Sequence, residues 1–224
     1  MSANHAAFNL IFRFVENYIS PIAGRISSQR HVMAIRDGFI SAMPFMIVGS
    51  FLLVFAYPPF SPDTTWGFAR AWLDLAKEFE GRILTPFDMT MGIMSIYICA
   101  AISYNLGKHY EKSNQLDPFM CAMLSIMAFL LIAAPKTNGT LPVDSLGGTG
   151  IFTAILVAIY CVEMMRFLKA HNIGIRLPDQ VPPMIKNSFD LLIPVLVVVL
   201  TLYPLSLFIQ HHFDMLIPQA IMAI

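Results

Sequence analysis

Charged side chains are scarce in this sequence, 12% of 224 residues, where an ordinary soluble domain carries roughly a quarter. With 57% apolar residues, a water-soluble surface is hard to build. The charges that exist cancel, fourteen basic against fourteen acidic, which argues against a polyanionic partner such as nucleic acid. Paired cysteines are also missing. Cys99, Cys121 and Cys161 stand alone inside apolar runs, so neither a disulfide framework nor a zinc or redox motif is expected, and the three read as small buried hydrophobes. No phosphate-binding glycine loop, zinc-protease helix or nucleophile elbow occurs, which leaves ATP-driven transport within the chain, a metal and a cofactor without support. A secretory signal is absent as well, because Arg13 and Glu16 interrupt the first apolar segment. The chain is therefore expected to begin near Met1.

What the sequence does contain is long uncharged runs. Residues 38–62, 89–107, 118–135, 145–162 and 191–213 hold no Asp, Glu, Lys or Arg, giving lengths of 25, 19, 18, 18 and 23. A helix crosses the hydrocarbon core with about 20 residues, within a range of roughly 17–25. The runs lack the alternation of barrel strands, and lipid allows only helices or closed barrels. The expected fold is an all-α integral membrane protein with about five transmembrane helices, near 32–57, 86–107, 117–135, 146–167 and 187–212. Pro44, Pro194 and Pro204 fit such helices, and the last two predict a bend in the fifth span. Mid-span regions carry no ionisable group, which disfavours a carrier coupled to an ion gradient.

Threading the spans alternately puts Arg13, Arg25, Arg30, Arg36, Lys108, Lys112, Arg166, Lys169, Arg176 and Lys186 on one side and Arg70, Lys77, Arg82 and Lys136 on the other. Positive loops stay in the cytoplasm, so a cytoplasmic amino terminus is expected. Phe8, Ile11, Phe12, Val15 and Ile19 recur at helical spacing ahead of the first span, as in an interfacial helix or one packed on the protein. YPPFSP ends a helix and FARAWLDLAKEF starts an external amphipathic one, with Trp66 and Trp72 suited to a membrane interface. Gly38, Ala42 and Gly49 form a small-residue face that allows close helix approach, including pairing with a second chain.

Polar candidates are few. The histidines lie at or beyond the span ends, and the adjacent His211 and His212 diverge on a helix and make a poor metal pair. Glu163 and Arg166 are spaced to pair on one helix face, read as stability or topology. The loop PKTNGTLPVDSLGGTG is a simple turn or a re-entrant segment in which Asn138, Gly147 and Gly148 contact a polar solute, the latter tolerated only beside a water-filled cavity. Three prolines within six residues of GIRLPDQVPPMIKNSFDLLIP predict an extended cytoplasmic linker, with Asn187 and Ser188 capping the fifth span.

That stretch resembles the LPxxVPxxVxxSFxxLIP pattern of the lactose, cellobiose and diacetylchitobiose family of phosphotransferase-system permeases, enzyme IIC. Here it reads Leu177, Pro178, Val181, Pro182, Ser188, Phe189, Leu192, Ile193 and Pro194. His31, Ala34, Ile35, Gly38, Phe39 and Pro44 are similar to the family's first span, and the segments at 91–97, 116–135 and 146–164 resemble the next three. The resemblance implies a multi-pass protein of the bacterial cell membrane that carries a saccharide, expected to be β-linked, coupled to phosphorylation by a cytoplasmic phospho-IIB partner. It also implies that residues 1–224 are the amino-terminal scaffold and homodimerisation half. The FGxHG-like and NEP-like segments that carry the family's site histidine and glutamate do not occur here, so no catalytic role transfers to any residue. A non-catalytic membrane interaction module, or a split permease remnant, is the alternative expectation.

Overall fold

The chain is seen in a computed structural model that describes residues 16, 20–135, 142–175, 180 and 182–223. The expected amino-terminal interfacial helix, and Asn138, Pro178 and Val181, lie outside the described residues. Among the described residues the regular structure is helical: α1 (Ser20–Ser27), α2 (Arg30–Ala56), α3 (Gly67–Phe87), α4 (Met94–Asn114), α5 (Pro118–Ala133), α6 (Ile151–Ala170), α7 (Pro183–Asp190), α8 (Leu192–Phe213) and α9 (Ile217–Met222). Among the described residues, four stretches are long and apolar enough to cross a membrane: Arg30–Ala56, Gly67–Asn114, Gly148–Ala170 and Ser188–Phe213. The third expected span, 117–135, is α5. It has 16 residues, about 24 Å of helix, and it packs among α4, α6 and α8.

Helix α4 is the hub, touching α2, α5 and α6. Its buried residues Ser95, Ile98, Cys99, Ile102, Ser103, Leu106, Gly107 and Tyr110 alternate steps of three and one, the spacing of one broad face on a 3.6-residue helix. Helix α2 packs on it and on the turn that precedes it; Ala34, Gly38, Ala42, Gly49 and Ala56 are all buried, Gly38 against Ile102 and Gly49 against Met91. A Cβ added to Gly38 would stand 2.9 Å from the Ile102 backbone nitrogen, so only glycine lets the two backbones come so close. The small-residue face that the sequence offered for pairing with another chain is thus consumed inside this one. Opposite it, α2 turns out Ile40, Ile47, Val48, Phe51, Val54 and Phe55, all exposed.

Local signals start and stop the helices. Asp117 caps α5, its carboxylate accepting from the N–H groups of Phe119 (2.9 Å) and Met120 (3.2 Å), with Pro118 at the first helical position where no N–H is needed. Gln115, at φ 52°, ends α4 in the left-handed region. Between α3 and α4 the chain widens into a π-turn over Asp88–Gly92, directly after Pro86, whose missing N–H breaks the ladder. The Thr90 hydroxyl donates to the Pro86 carbonyl at 2.9 Å.

Two expectations at the carboxyl-terminal end need correction. The extended linker does not reach the fifth span: Pro182 is the N-cap of α7, with Pro183 in its first turn. Pro is well tolerated at the start of a helix because the first N–H groups have no partner there anyway. Asn187 and Ser188 consequently lie within α7 and do not cap the span. Helix α8 starts after Leu191, which makes no side-chain cap. Pro194 sits in the first turn of α8, so only Pro204 removes an interior N–H. Helix α8 buries the narrow line Pro194, Val198, Leu202 and Ser206, and the Tyr160 hydroxyl joins it to α6 at Thr201 Oγ1, 2.6 Å away.

Candidate functional site

At one end of the bundle, three helices converge on a single carboxylate. Glu163 stands near the end of α6, His31 opens α2, and Tyr110 is in the last turns of α4. The Tyr110 hydroxyl donates to Glu163 Oε1 at 2.7 Å, His31 Nε2 lies 2.9 Å from the same oxygen, and Arg166 holds Oε2 at 2.8 Å. The guanidinium groups of Arg30 and Arg166 sit 5.4 and 4.8 Å from the Tyr110 ring centre, within cation–π range. Glu163 is one-quarter exposed, and both its oxygens are engaged. Such a carboxylate acts as a lock between α2, α4 and α6 and is poorly placed to serve as a free base.

An open cleft of about 580 Å³ lies at the same end. Ser113, Asn114, Gln115, Lys169, Asn172 and Asp190 supply its polar lining. Lys169 Nζ donates to the Gln115 carbonyl at 2.6 Å, satisfying the end of α4, and lies 3.5 Å from Asp190 on α7. Asn172, in the left-handed region at φ 56°, turns the chain away from α6. Among the described residues no group of three or more His, Cys, Asp and Glu could hold a metal.

The glycine-rich loop occupies the other end. Its Leu146 carbonyl accepts from the Ser95 N–H at 2.9 Å, and the Gly147 carbonyl takes the Ser95 hydroxyl. The loop therefore satisfies the first turn of α4, whose N–H groups have no partner within the helix. Gly150 is buried against Ser145 and Phe129. Gly147 is half-buried beside the Gly92 carbonyl, whereas Gly148 is exposed with the Met94 methyl group as its near neighbour. A second cavity of about 460 Å³, lined by Asp144, Ser145, Thr149 and Gln219, adjoins this loop.

The structure thus separates the sequence-derived candidates. Gly147 and Gly148 are at the loop end, with Gly148 accessible. Pro182, Ser188 and Phe189 belong to the exposed α7 region, and Pro194 lines the cleft at the opposite end from the glycines. Sequence reasoning paired Glu163 with Arg166 and missed Tyr110, His31 and Arg30. The available signal was weak: a tyrosine late in α4 and a histidine 132 positions before its partner share no local pattern.

Comparison with known proteins decides the family. A family model described as "Phosphotransferase system, EIIC" matches residues 36–223. The chain belongs to this EIIC family. It is 35% identical over 206 residues to the cellobiose-specific EIIC component of Geobacillus stearothermophilus, covering 84% of this chain and 43% of that protein. It is 32% identical over 207 residues to the lactose-specific EIICB component of Streptococcus mutans, covering 90% of this chain and 35% of that one. The crystal structure of ChbC, the IIC component of an N,N'-diacetylchitobiose-specific phosphotransferase system, superposes with a TM-score of 0.76 at 32% identity, over 93% of this chain and 50% of ChbC. The EIIC membrane fold is therefore the fold of this chain, which spans between about a third and a half of the length of these relatives.

Proposed function

We propose that these 224 residues form the amino-terminal scaffold half of an EIIC permease that carries a saccharide across the bacterial cell membrane, coupled to its phosphorylation by a cytoplasmic phospho-IIB component. The observation that carries this reading is the superposition of nearly the whole bundle on half of the diacetylchitobiose IIC structure. Relatives named for cellobiose, lichenan and oligo-β-mannoside support a β-linked oligosaccharide as substrate. The EIICB relatives, in which both components share one name, support IIB as the partner. The amino terminus is cytoplasmic, which puts Arg30, Arg166, the Glu163 lock and the polar cleft on the inner side, in keeping with the excess of Lys and Arg there. The scaffold half also supplies the contact of a homodimer. Its small-residue stripe is taken by α4, so the exposed apolar faces of α2 and α8 are the surfaces available to other helices. Gly148 and the neighbouring cavity are the sugar contacts to test first.

The test expresses residues 1–224 in membranes of cells lacking their own β-glucoside permeases, with and without the rest of an EIIC sequence, and measures cellobiose phosphate formed with phospho-IIB. Product is expected only when the second half is present. Phosphorylation by the 224 residues alone refutes the scaffold reading. A cysteine at Lys77 that is labelled by an impermeant maleimide only after cell lysis overturns the orientation.

A further inference from the structure

Helix α2 runs antiparallel to α4 and the π-turn that precedes it: Gly38 faces Ile102 of α4 and Gly49 faces Met91 of the turn, eleven residues apart in each segment. Continued in a straight line, that register puts Phe55 level with Thr85. Instead the Trp72 indole N–H donates to the Phe55 carbonyl at 3.2 Å. Trp72 precedes Thr85 by thirteen positions, about 20 Å of helix, well beyond the reach of an indole. The Tyr57 hydroxyl likewise donates to Glu80 at 2.9 Å. Helix α3 therefore turns away from the α4 axis at Pro86 and the π-turn and lies across the end of α2. Since α2 and α4 cross the bilayer, α3 lies near the membrane plane.

Its faces suit that plane. Ala69 and Ala76 are buried against the bundle, while Phe68 and Leu75, one residue before each, are 61% and 56% exposed. Arg70, Asp74, Lys77 and Glu78 fall on the far arc at 100° per residue. Arg82 lies over the Phe79 ring at 5.6 Å, its stem along apolar surface and its charge free to reach water. The loop adds aromatic rings: Phe60, Trp66, Phe68 and Trp72 form a chain with centroids 5.6–5.9 Å apart, and Trp66 is 60% exposed. This surface is continuous with the exposed Phe51, Val54 and Phe55 of α2.

We propose that α3 and this aromatic corner are a phospholipid-binding surface, with Trp66, Phe68 and Leu75 seated at the boundary between headgroups and acyl chains. Amphipathic helices with an apolar strip bind there, and indole rings prefer that depth. Arg70, Lys77 and Arg82 are balanced on the helix by Asp74, Glu78 and Glu80, so the attraction is apolar and indifferent to lipid charge. Helix α3 would lie in this plane in either leaflet.

The chain's two tryptophans, Trp66 and Trp72, both report on this corner. The Trp72→Phe protein is reconstituted in phosphatidylcholine vesicles. Lipid brominated near the headgroup is expected to quench Trp66 more than lipid brominated near the chain end, acrylamide only weakly, and added phosphatidylglycerol should change neither. Cys99, Cys121 and Cys161 are fully buried and give a quiet background for thiol labelling. Lys77→Cys should react with maleimide several-fold faster than Leu75→Cys. Strong acrylamide quenching without bromolipid quenching overturns the proposal. Relief of that quenching by cellobiose assigns the rings to sugar instead. Protection of Leu75→Cys without bromolipid quenching shows protein covering the strip and also refutes it.

Discussion

Replacing Tyr110 with Phe removes one hydroxyl from the Glu163 lock and keeps the ring over which Arg30 and Arg166 rest. The deleted bond is 2.7 Å long, ends on a carboxylate and connects α4 to α6. Hydrogen bonds to charged groups contribute about 1.5–3 kcal/mol in general, whereas interhelical bonds in membrane proteins average about 0.6 kcal/mol with a maximum near 1.7. The charged acceptor raises the value above that average, and the one-quarter exposure of Glu163 keeps it from the upper end, so about 1 kcal/mol is expected. Glu163→Ala should lose more, roughly 2 kcal/mol, because His31 and Arg166 lose their acceptor together. Combining Tyr110→Phe with Glu163→Ala gives the sharper quantity, since the second change has no bond left to break. The losses should fall short of additivity by about 1 kcal/mol. The assay is reversible unfolding in mixed micelles with increasing dodecyl sulfate, followed by far-ultraviolet circular dichroism. Additivity within about 0.3 kcal/mol, the behaviour of independent sites, refutes the lock.

Gly38→Ala should destabilise by about 1–3 kcal/mol through overpacking, less about 1 kcal/mol regained in helix propensity; adding Ile102→Ala should restore only part, because the Ile102 backbone nitrogen stays 2.9 Å from the new Cβ. Thermal unfolding in detergent measures both. Gly150→Ala should lower stability, since its Cβ would collide with the Ser145 carbonyl and lie 3.1 Å from Phe129, while Gly148→Ala, with only the Met94 methyl at 3.5 Å, should leave the fold intact; a loss of sugar uptake by a complete permease carrying Gly148→Ala would then mark a sugar contact. The Tyr57 phenol is held above its ordinary value of 10.0, first by its hydrogen bond to Glu80 and then by that residue's charge. The folded state thus favours the protonated phenol, so the Tyr57–Glu80 bond persists below about pH 10 and is lost as pH rises through the raised value. Ultraviolet titration against a Tyr57→Phe control should show Glu80→Gln moving the transition down; no movement refutes the assignment.

Much of the architecture was readable because the bilayer imposes a local length rule. A run such as 191–213 announces a span without reference to any other part of the chain, and α8 covers almost the same residues. The proline-rich motif announced the EIIC family in the same local way. Expectations failed where two local signals competed. Asn187 and Ser188 looked like caps, but Pro183 favours the start of a helix, and both were absorbed into α7. Of the candidate site residues, the sequence singled out the glycine loop by composition alone. That the Leu146 and Gly147 carbonyls close the start of α4 depends on a strand of loop and a helix that meet only in three dimensions.

By itself the sequence determined that this is a helical membrane protein and which family it resembles, because hydrophobic run length and short motifs are written in consecutive residues. Tertiary structure alone decided that the Gly38 stripe faces α4, that Glu163 gathers His31, Tyr110 and Arg166, and that α3 lies across the end of α2. Each of those depends on which faces of distant helices are pressed together, and a partner 132 positions away leaves no periodic trace in the chain around it.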